Sequence, residues 1–413
     1  MVLDRKLRYG MVGGGPGAFI GAVHRSAAAL DGEIELVAGA FSSSPEASRQ
    51  QGERLHLDPD RVYGTYEEMA VQEAERPPGE RIDFVSIVTP NALHHDVAVA
   101  FIEQGIHVVC DKPMTTTLAD AEDLCRRVDE AGVVFALTHT YAGYPMVKQA
   151  RALVEQGVLG PLRKIVVEYP QGWLARPLEE DGDKQAAWRT DPEVAGAGAL
   201  GDIGTHAEHL ARYVTGLGLE RLCADVGTVV EGRAVDDDVS VLARFEGGVR
   251  GLLYCSQISA GEENNLRLRV YGTDAGLDWR QEDPHRLRLL TDLEGDAPEK
   301  VYTHGRSYLD ASVQPFLRTP QGHPEGYIEA FANLYRSAGR TIAARTAGVA
   351  PEPHDLDFPT VQDGARGVHF VETVLESDRA QAWVDASYTP PGAGGDEGTG
   401  AAPSSRQGND SPG

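Results

Sequence analysis

The sequence predicts an α/β doubly wound parallel sheet followed by an α+β C-terminal domain built on a large, mostly antiparallel open sheet. Three observations carry this reading. Strand-like and helix-like segments alternate from residue 7 to about 140. Residues 82–89 form a continuous apolar run of the kind buried on both faces of a parallel sheet. Beyond residue 157, strands follow one another with little helix between them.

In order, 7–12 is a short apolar strand running into Gly13-Gly14-Gly15-Pro16-Gly17, followed by a helix carrying Phe19, Ile20, Val23 and Ala27. Residues 34–41 give the second strand, 82–89 the third, and a helix near 92–104 stops at Gly105 before the strand 106–110. Thr117 with Asp120 three residues on makes a capping box, and Gly132 ends that helix. Residues 133–138 are one more strand. In the second half, 162–169, 221–230, 239–245, 249–258 and 266–271 read as strands, with Gly247-Gly248 a two-residue hairpin turn. Helices near 324–346 and 358–380 return the chain to the first domain. The division is 1–140, 141–385 and a disordered tail, 386–413, whose Pro, Gly, Ser and acidic residues bury too little to offset ordering entropy.

The 413 residues carry 38 basic and 63 acidic side chains, a formal charge of −25 that repels nucleic acid. No apolar run reaches the ~18–20 residues of a membrane span, and no leader precedes the first strand, so a cytoplasmic protein is expected. Cys110, Cys125, Cys223 and Cys255 lie far apart without a C-x-x-C pair, pointing to buried reduced thiols. The sheet strands carry apolar residues on more than one face (Val241, Leu252, Leu253, Leu268, Val270), so a homodimer or homotetramer through that sheet is expected.

Four constellations bear chemistry. Gly13, Gly15, Gly17, Ala18 and Phe19 join a strand to a helix, the context in which backbone N–H groups cradle a pyrophosphate. The spacing is irregular, with Ala18 or Gly21 at the third position, so by itself the loop reads equally as a Rossmann dinucleotide site or as a tight turn. The second strand ends in Ser42 and Ser43 where an NAD enzyme usually places an acid on the ribose 2′-hydroxyl, so NAD and NADP both remain open, with NAD favoured and Arg25 or Arg49 the available cations. Thr89-Pro90-Asn91, with His94 three residues on, and Asp111-Lys112-Pro113 each follow a parallel strand and face the same crevice. Asn91 is equally suited to capping the next helix. In the run 196–206, Asp202 and His206 stand four apart, on one face of a helical turn, where a carboxylate can orient an imidazole base. A buried histidine or metal ligation helped by His209 are the alternatives, and no third ligand cluster supports a metal.

Taken together, Gly-x-Gly, Thr-Pro-Asn-x-x-His, Lys-Pro and Asp-x-Gly-x-His in this order closely resemble the glucose–fructose oxidoreductase / inositol dehydrogenase / rhizopine catabolism (Gfo/Idh/MocA) family over residues 7–385. The resemblance implies an NAD(P)-dependent oxidoreductase moving a hydride at a secondary carbinol of a sugar or inositol. In such a site Lys112, Asp202 and His206 line the catalytic centre. Asp111 stands where the family often has glutamate, and Pro16–Phe19 is an apparent insertion.

Tyr141, Tyr144, Gln171, Trp173, Trp188, Arg189 and His323 resemble its sugar-dehydrogenase branch, which includes levoglucosan and glucoside 3-dehydrogenases. A tryptophan there can stack on a pyranose, with Gln171, Arg189 and His323 bonding hydroxyls, although core packing explains a tryptophan equally well. In this scheme His206 takes the hydroxyl proton near neutral pH, Asp202 holds the imidazole and Lys112 stabilises the alkoxide, with Tyr141 or Tyr144 the next candidates as base. A glycoside-cleaving enzyme using transient oxidation and a non-catalytic sugar sensor are the rival readings.

Overall fold

Apolar strands separated by helices, three of them capped by Ser44, Thr65 and Thr117, build the parallel layer. The computed structural model describes residues 2–180, 184–291 and 299–393. The first layer runs β1 (Leu7–Gly13), α1 (Phe19–Ala29), β2 (Ile34–Ala40), α2 (Pro45–Arg54) and α3 (Tyr66–Glu75), then β3 (Phe84–Val88), α4 (His94–Ile102), β4 (His107–Cys110), α5 (Leu118–Ala131) and β5 (Phe135–Leu137). These strands pair in parallel in the order β2-β1-β3-β4-β5. All five residues of β3 are buried, as its apolar run requires. Thr117 caps α5 by accepting from the Asp120 N–H, and Gly132 closes it in the left-handed conformation. Because β2 and β3 flank β1 on opposite sides, a crevice opens off the carboxyl ends of these strands.

The second domain contains α6 (Pro145–Glu155), β6 (Leu162–Pro170), two short helices α7 (Lys184–Arg189) and α8 (Pro192–Ala195), and a π-helical turn, Leu200–Gly204, that runs into α9 (Thr205–Thr215). Its remaining strands are β7 (Leu219–Gly227), β8 (Asp238–Phe245), β9 (Val249–Ser256), β10 (Arg267–Gly272), β11 (Gly276–Arg280), β12 (Arg286–Leu290), β13 (Lys300–Thr303) and β14 (Val384–Asp385). They form one sheet, β13-β12-β11-β10-β6-β9-β8-β7-β14, antiparallel except for the β6–β9 pair. α10 (Tyr327–Thr346) packs on α1, and α11 (Val361–Ala380) packs on α5 and β7.

Several expectations shift in detail. β7 stops at Gly227 rather than 230, because the Val229 and Val230 N–H groups turn to the Asp237 carboxylate at 2.8 and 3.0 Å. The β8–β9 turn is Glu246–Gly248, three residues long, with Phe245 opposite Val249. Val241, Leu253, Leu268 and Val270 all face the helix-covered core, so of the five apolar residues assigned to both faces only Leu252 lies on the open side. That side is instead mainly charged. The boundary at 386 also moves outward: Ala386 is buried, and Tyr388 stacks on His369 at 4.4 Å and donates to Glu122 at 3.2 Å. The rest of the expected tail, 394–413, lies outside the described residues. Among the described residues no helix is long and apolar enough to cross a membrane.

Candidate active site

A cleft of about 1170 Å³ lies where the two domains meet, lined at one end by the glycine loop and at the other by Lys112, Asp202 and His206. It exceeds the ~300–1,000 Å³ typical of a site for one small ligand. Gly13 has φ +88°, and a Cβ there would stand 2.7 Å from the Val88 carbonyl oxygen, so only glycine fits this turn. Gly17, Ala18 and Phe19 line the cleft, whereas Gly15 does not and backs onto the Phe41 carbonyl, which a Cβ there would meet at 2.7 Å. Phe19 is 64% exposed, at the cleft mouth.

Ser42 and Ser43 also line the cleft, joined by Gly64, Thr65, Tyr66 and Glu67, a segment the sequence motifs did not flag. Arg25 turns away to donate to the Gly14 carbonyl at 3.2 Å. Thr89 Oγ1 is buried in the wall without a hydrogen-bond partner. An orphaned hydroxyl beside a glycine turn fits a dinucleotide that would satisfy it.

Thr89, Pro90, Asn91, Asp111 and Lys112 line the cleft; His94 does not. Its buried ring stands behind, Nδ1 at 2.8 Å from the Pro113 carbonyl and Nε2 at 3.0 Å from that of Thr89, so it braces the two turns. Asn91 donates to the Ala195 carbonyl at 3.1 Å and ties the first domain to the second. The Lys112–Pro113 peptide bond is cis. Asp111 accepts from Thr138 Oγ1 at 2.8 Å and from the Lys112 N–H at 2.9 Å. Burial pushes its carboxyl up, but His24 and Lys112 outweigh this and hold it well below the usual carboxylate range.

Asp202 is the main correction. It does not hold His206. Lys112 Nζ donates to its Oδ1 at 2.8 Å and to its backbone carbonyl at 2.6 Å. Gln257 donates to Oδ2 at 2.8 Å, and Arg189 Nε stands 3.6 Å from the same oxygen. The π-helical turn breaks the i,i+4 alignment that would have set Asp202 beneath the imidazole. Burial raises the Asp202 carboxyl, but Lys112 and Arg189 outweigh it and keep it ionised.

His206 is 7% exposed and meets a different partner, His139, with Nδ1 to Nδ1 at 3.4 Å. Burial and then Lys112 push its pKa well below the ordinary histidine value, against the pull of Asp202. The expectation of an imidazole titrating near neutrality is therefore reversed. The segment itself is pinned by Asp236, whose carboxylate accepts from the Gly198 and Leu200 N–H groups at 2.8 and 2.7 Å. Gly198 permits this approach, since a Cβ would meet the Asp236 carbonyl oxygen at 1.9 Å.

At the far end, Tyr141, Gln171, Trp173, Trp188 and Arg189 line the cleft with Tyr169, Glu263, Asn264, Gln281 and Tyr327. Asn264 is a hub: Tyr169 and Gln171 each donate to its Oδ1 at 2.7 Å, its Nδ2 donates to Tyr141 at 3.4 Å, and Trp173 Nε1 donates to Gln171 at 3.1 Å. The Arg189 guanidinium lies 4.2 Å over the Trp188 ring. Tyr144 is buried behind this wall, within 3.5 Å of Gln281 Nε2, and does not reach the cleft. His323 is exposed outside it; the motif around it serves Glu325, which accepts from the Arg318 and Thr319 N–H groups at 2.6 Å. Among the described residues no group of His, Cys, Asp and Glu is arranged to hold a metal ion.

A glycine turn off β1, a switch-point crevice and a Lys–Asp–His cluster at its far end define the class: an NAD-binding Rossmann oxidoreductase. Residues 7–139 match the family model "Oxidoreductase family, NAD-binding Rossmann fold", and 147–278 match the GFO/IDH/MocA C-terminal domain. The chain belongs to the GFO/IDH/MocA oxidoreductase family. It is 31% identical to the uncharacterized oxidoreductase YfiI of Bacillus subtilis, over 93% of this chain and 98% of that one. It is 26% identical to levoglucosan dehydrogenase of Pseudarthrobacter phenanthrenivorans, over 74% and 80%. An inositol dehydrogenase homolog from Azotobacter vinelandii, complexed with NAD+, superposes with TM-score 0.87 at 36% identity, covering 93% and 98%. Its complex with NADH and myo-inositol gives 0.85 at 34%.

Proposed function

We propose that this chain is an NAD-dependent dehydrogenase of a cyclic polyol or sugar, acting at a secondary carbinol. The observation that carries the reading is the convergence of Lys112 and His206 on one cleft with the glycine loop. The relatives named for inositol and levoglucosan support the substrate class. When bound, the nicotinamide accepts hydride from the carbinol carbon or returns it to the ketone. Lys112 donates a hydrogen bond to the carbinol oxygen and stabilises the charge developing there, while neutral His206 accepts its proton. Asp202 keeps the lysine extended by accepting from it at the carboxylate and at the backbone carbonyl. Asn264, through Gln171, sets the Trp173 indole as a wall for the ring. Retention of both Lys112 and His206 favours catalysis over sensing.

NAD is preferred over NADP in this reading. The ribose end is lined by Ser42, Ser43, Thr65 and Glu67, and the described cations of the cleft, Lys112 and Arg189, lie at the other end. Nothing there neutralises a 2′-phosphate. We also propose that the open sheet face meets a second copy of the chain.

A panel of inositols, pyranoses and anhydro sugars, followed by NADH and NADPH absorbance, tests the activity. Net NADH formation with one of them supports it. Turnover of a glycoside without net NADH supports the cleaving alternative, and tight sugar binding without turnover supports a sensor.

A further inference from the structure

A general base needs one ring nitrogen bare and the other held, and in this site the neighbouring carboxylate is committed elsewhere. Asp202 is engaged by Lys112, Gln257 and Arg189. Among the described residues the hydrogen-bond partner of the His206 ring is His139, Nδ1 to Nδ1 at 3.4 Å. His139 follows β5, is 1% exposed, and lies in parallel stack on His209 with ring centroids 4.2 Å apart. Tyr141 meets the His206 ring edge-on at 4.8 Å, and Tyr169 lies tilted at 6.3 Å.

Two Nδ1 atoms in contact share one proton, so one ring donates and the other accepts. We propose that His139 is a positioning residue: its bare Nδ1 accepts from His206 Nδ1–H, which leaves His206 Nε2 as the proton acceptor toward the cleft. The pair is a neutral histidine–histidine dyad in place of a carboxylate–histidine one. This rests on the reading of His206 as the base.

Neutrality follows from the surroundings. His206 faces Lys112 and Asp111 from the end of β4, Asp202 on its own segment, His209 on its own helix, and the two tyrosines. His139 faces His206, His209, Arg212 and Lys112, with burial the largest influence, and every one of these disfavours its protonation. Burial pushes His209 down to about 3, so the stacked ring adds no charge. A neutral acceptor fixes the tautomer without strengthening the base. It leaves an imidazolium that gives its proton back readily, which suits a reaction run in both directions.

Asparagine tests this directly, because its Oδ1 occupies nearly the position of a histidine Nδ1 and accepts in the same way. His139→Asn is expected to keep kcat within about threefold of wild type. His139→Leu, with similar bulk and no acceptor, is expected to lower it by on the order of 10- to 100-fold, below the ~10⁴-fold of tautomer loss in a charged triad. ¹⁵N-histidine spectra of the cofactor-free protein, assigned through His206→Asn, give a readout independent of turnover. The dyad requires a protonated Nδ1 on His206 in wild type and in His139→Asn, and a mixed or reversed tautomer in His139→Leu. A protonated Nε2 on wild-type His206, or a His139→Leu variant folded and fully active, overturns the proposal. If the spectra show the dyad but His206→Asn turns over normally, the dyad stands and the general-base reading fails instead.

Discussion

Lys112 grips Asp202 twice, at the carboxylate and at the backbone carbonyl, across 90 residues of sequence and the junction of the two domains. The contact couples the strand-borne lysine to the π-helical turn that leads into α9. An exposed ion pair would contribute little. Here both side chains are part-buried and aimed at the cleft, so the pair acts as a positioning device.

Removing the lysine is therefore expected to act on kcat. Lys112→Ala lowers it ~10²-fold or more, with NADH affinity near wild type by fluorescence titration. Asp202→Asn keeps the lysine but loosens its aim, and a smaller loss is expected. Unchanged turnover in Lys112→Ala removes the lysine from the mechanism.

With His206 as the proposed base, the acid limb of kcat/KM for oxidation is expected to follow its ring, which accepts a proton only when neutral. Burial and Lys112 lower its pKa, so the neutral form persists below the ordinary ~6.5. The profile is expected to stay level through that pH and fall only in more acidic buffer. In Lys112→Ala the lost cation lets the imidazole pKa rise, so the limb of the residual activity moves toward neutrality. A wild-type limb at or above ~6.5 contradicts the arrangement.

Much of this site was legible because backbone chemistry wrote it. Gly13, the turn before Asn91 and the turn before Pro113 each sit at a strand's carboxyl end, where the fold delivers them to one crevice. The partner of Asp202 was not legible. Spacing of four points to one helical face, but the π turn and a lysine from the other domain decide the outcome. Asp236, Gln257 and Asn264 lie in loops or at strand ends without periodicity, so their roles emerge only in three dimensions. β11 was hidden by Gly276 and Asp278, residues with low strand propensity. His323 misled because it sits in an exposed loop outside the cleft, while Tyr327, four residues on, reaches the lining.

Asn264 offers a test of the substrate wall. Asn264→Ala removes the acceptor shared by Tyr169 and Gln171 and frees Trp173. Its effect is expected mainly in KM, about tenfold, with kcat within a few-fold, because the loss falls on ring binding rather than on the reacting oxygen. A loss confined to kcat would place Asn264 at the chemistry instead.

The open sheet face carries a charge pattern that constrains how a second copy can sit. Arg221, Arg244, Arg250 and Lys164 stand directly opposite one another across β7, β8, β9 and β6. Such a row of like charges is unfavourable within one chain. Four residues along each strand lie Asp225, Ser240, Tyr254 and Glu168, and midway between the two rows run Cys223, Leu242, Leu252 and Val166, with Leu242 50% exposed. A two-fold axis in the interface along this apolar row exchanges the outer rows, placing Arg221 against the partner's Asp225 and Lys164 against the partner's Glu168. An axis parallel to the strands would set cation on cation. In light scattering the assembly is expected to weaken in Arg221→Asp and to recover in the double variant Arg221→Asp/Asp225→Arg, with its stability falling as salt screens the pairs. Tighter association in Arg221→Asp alone would select the other axis. A wild-type monomer at micromolar concentration and low salt would remove the interface altogether.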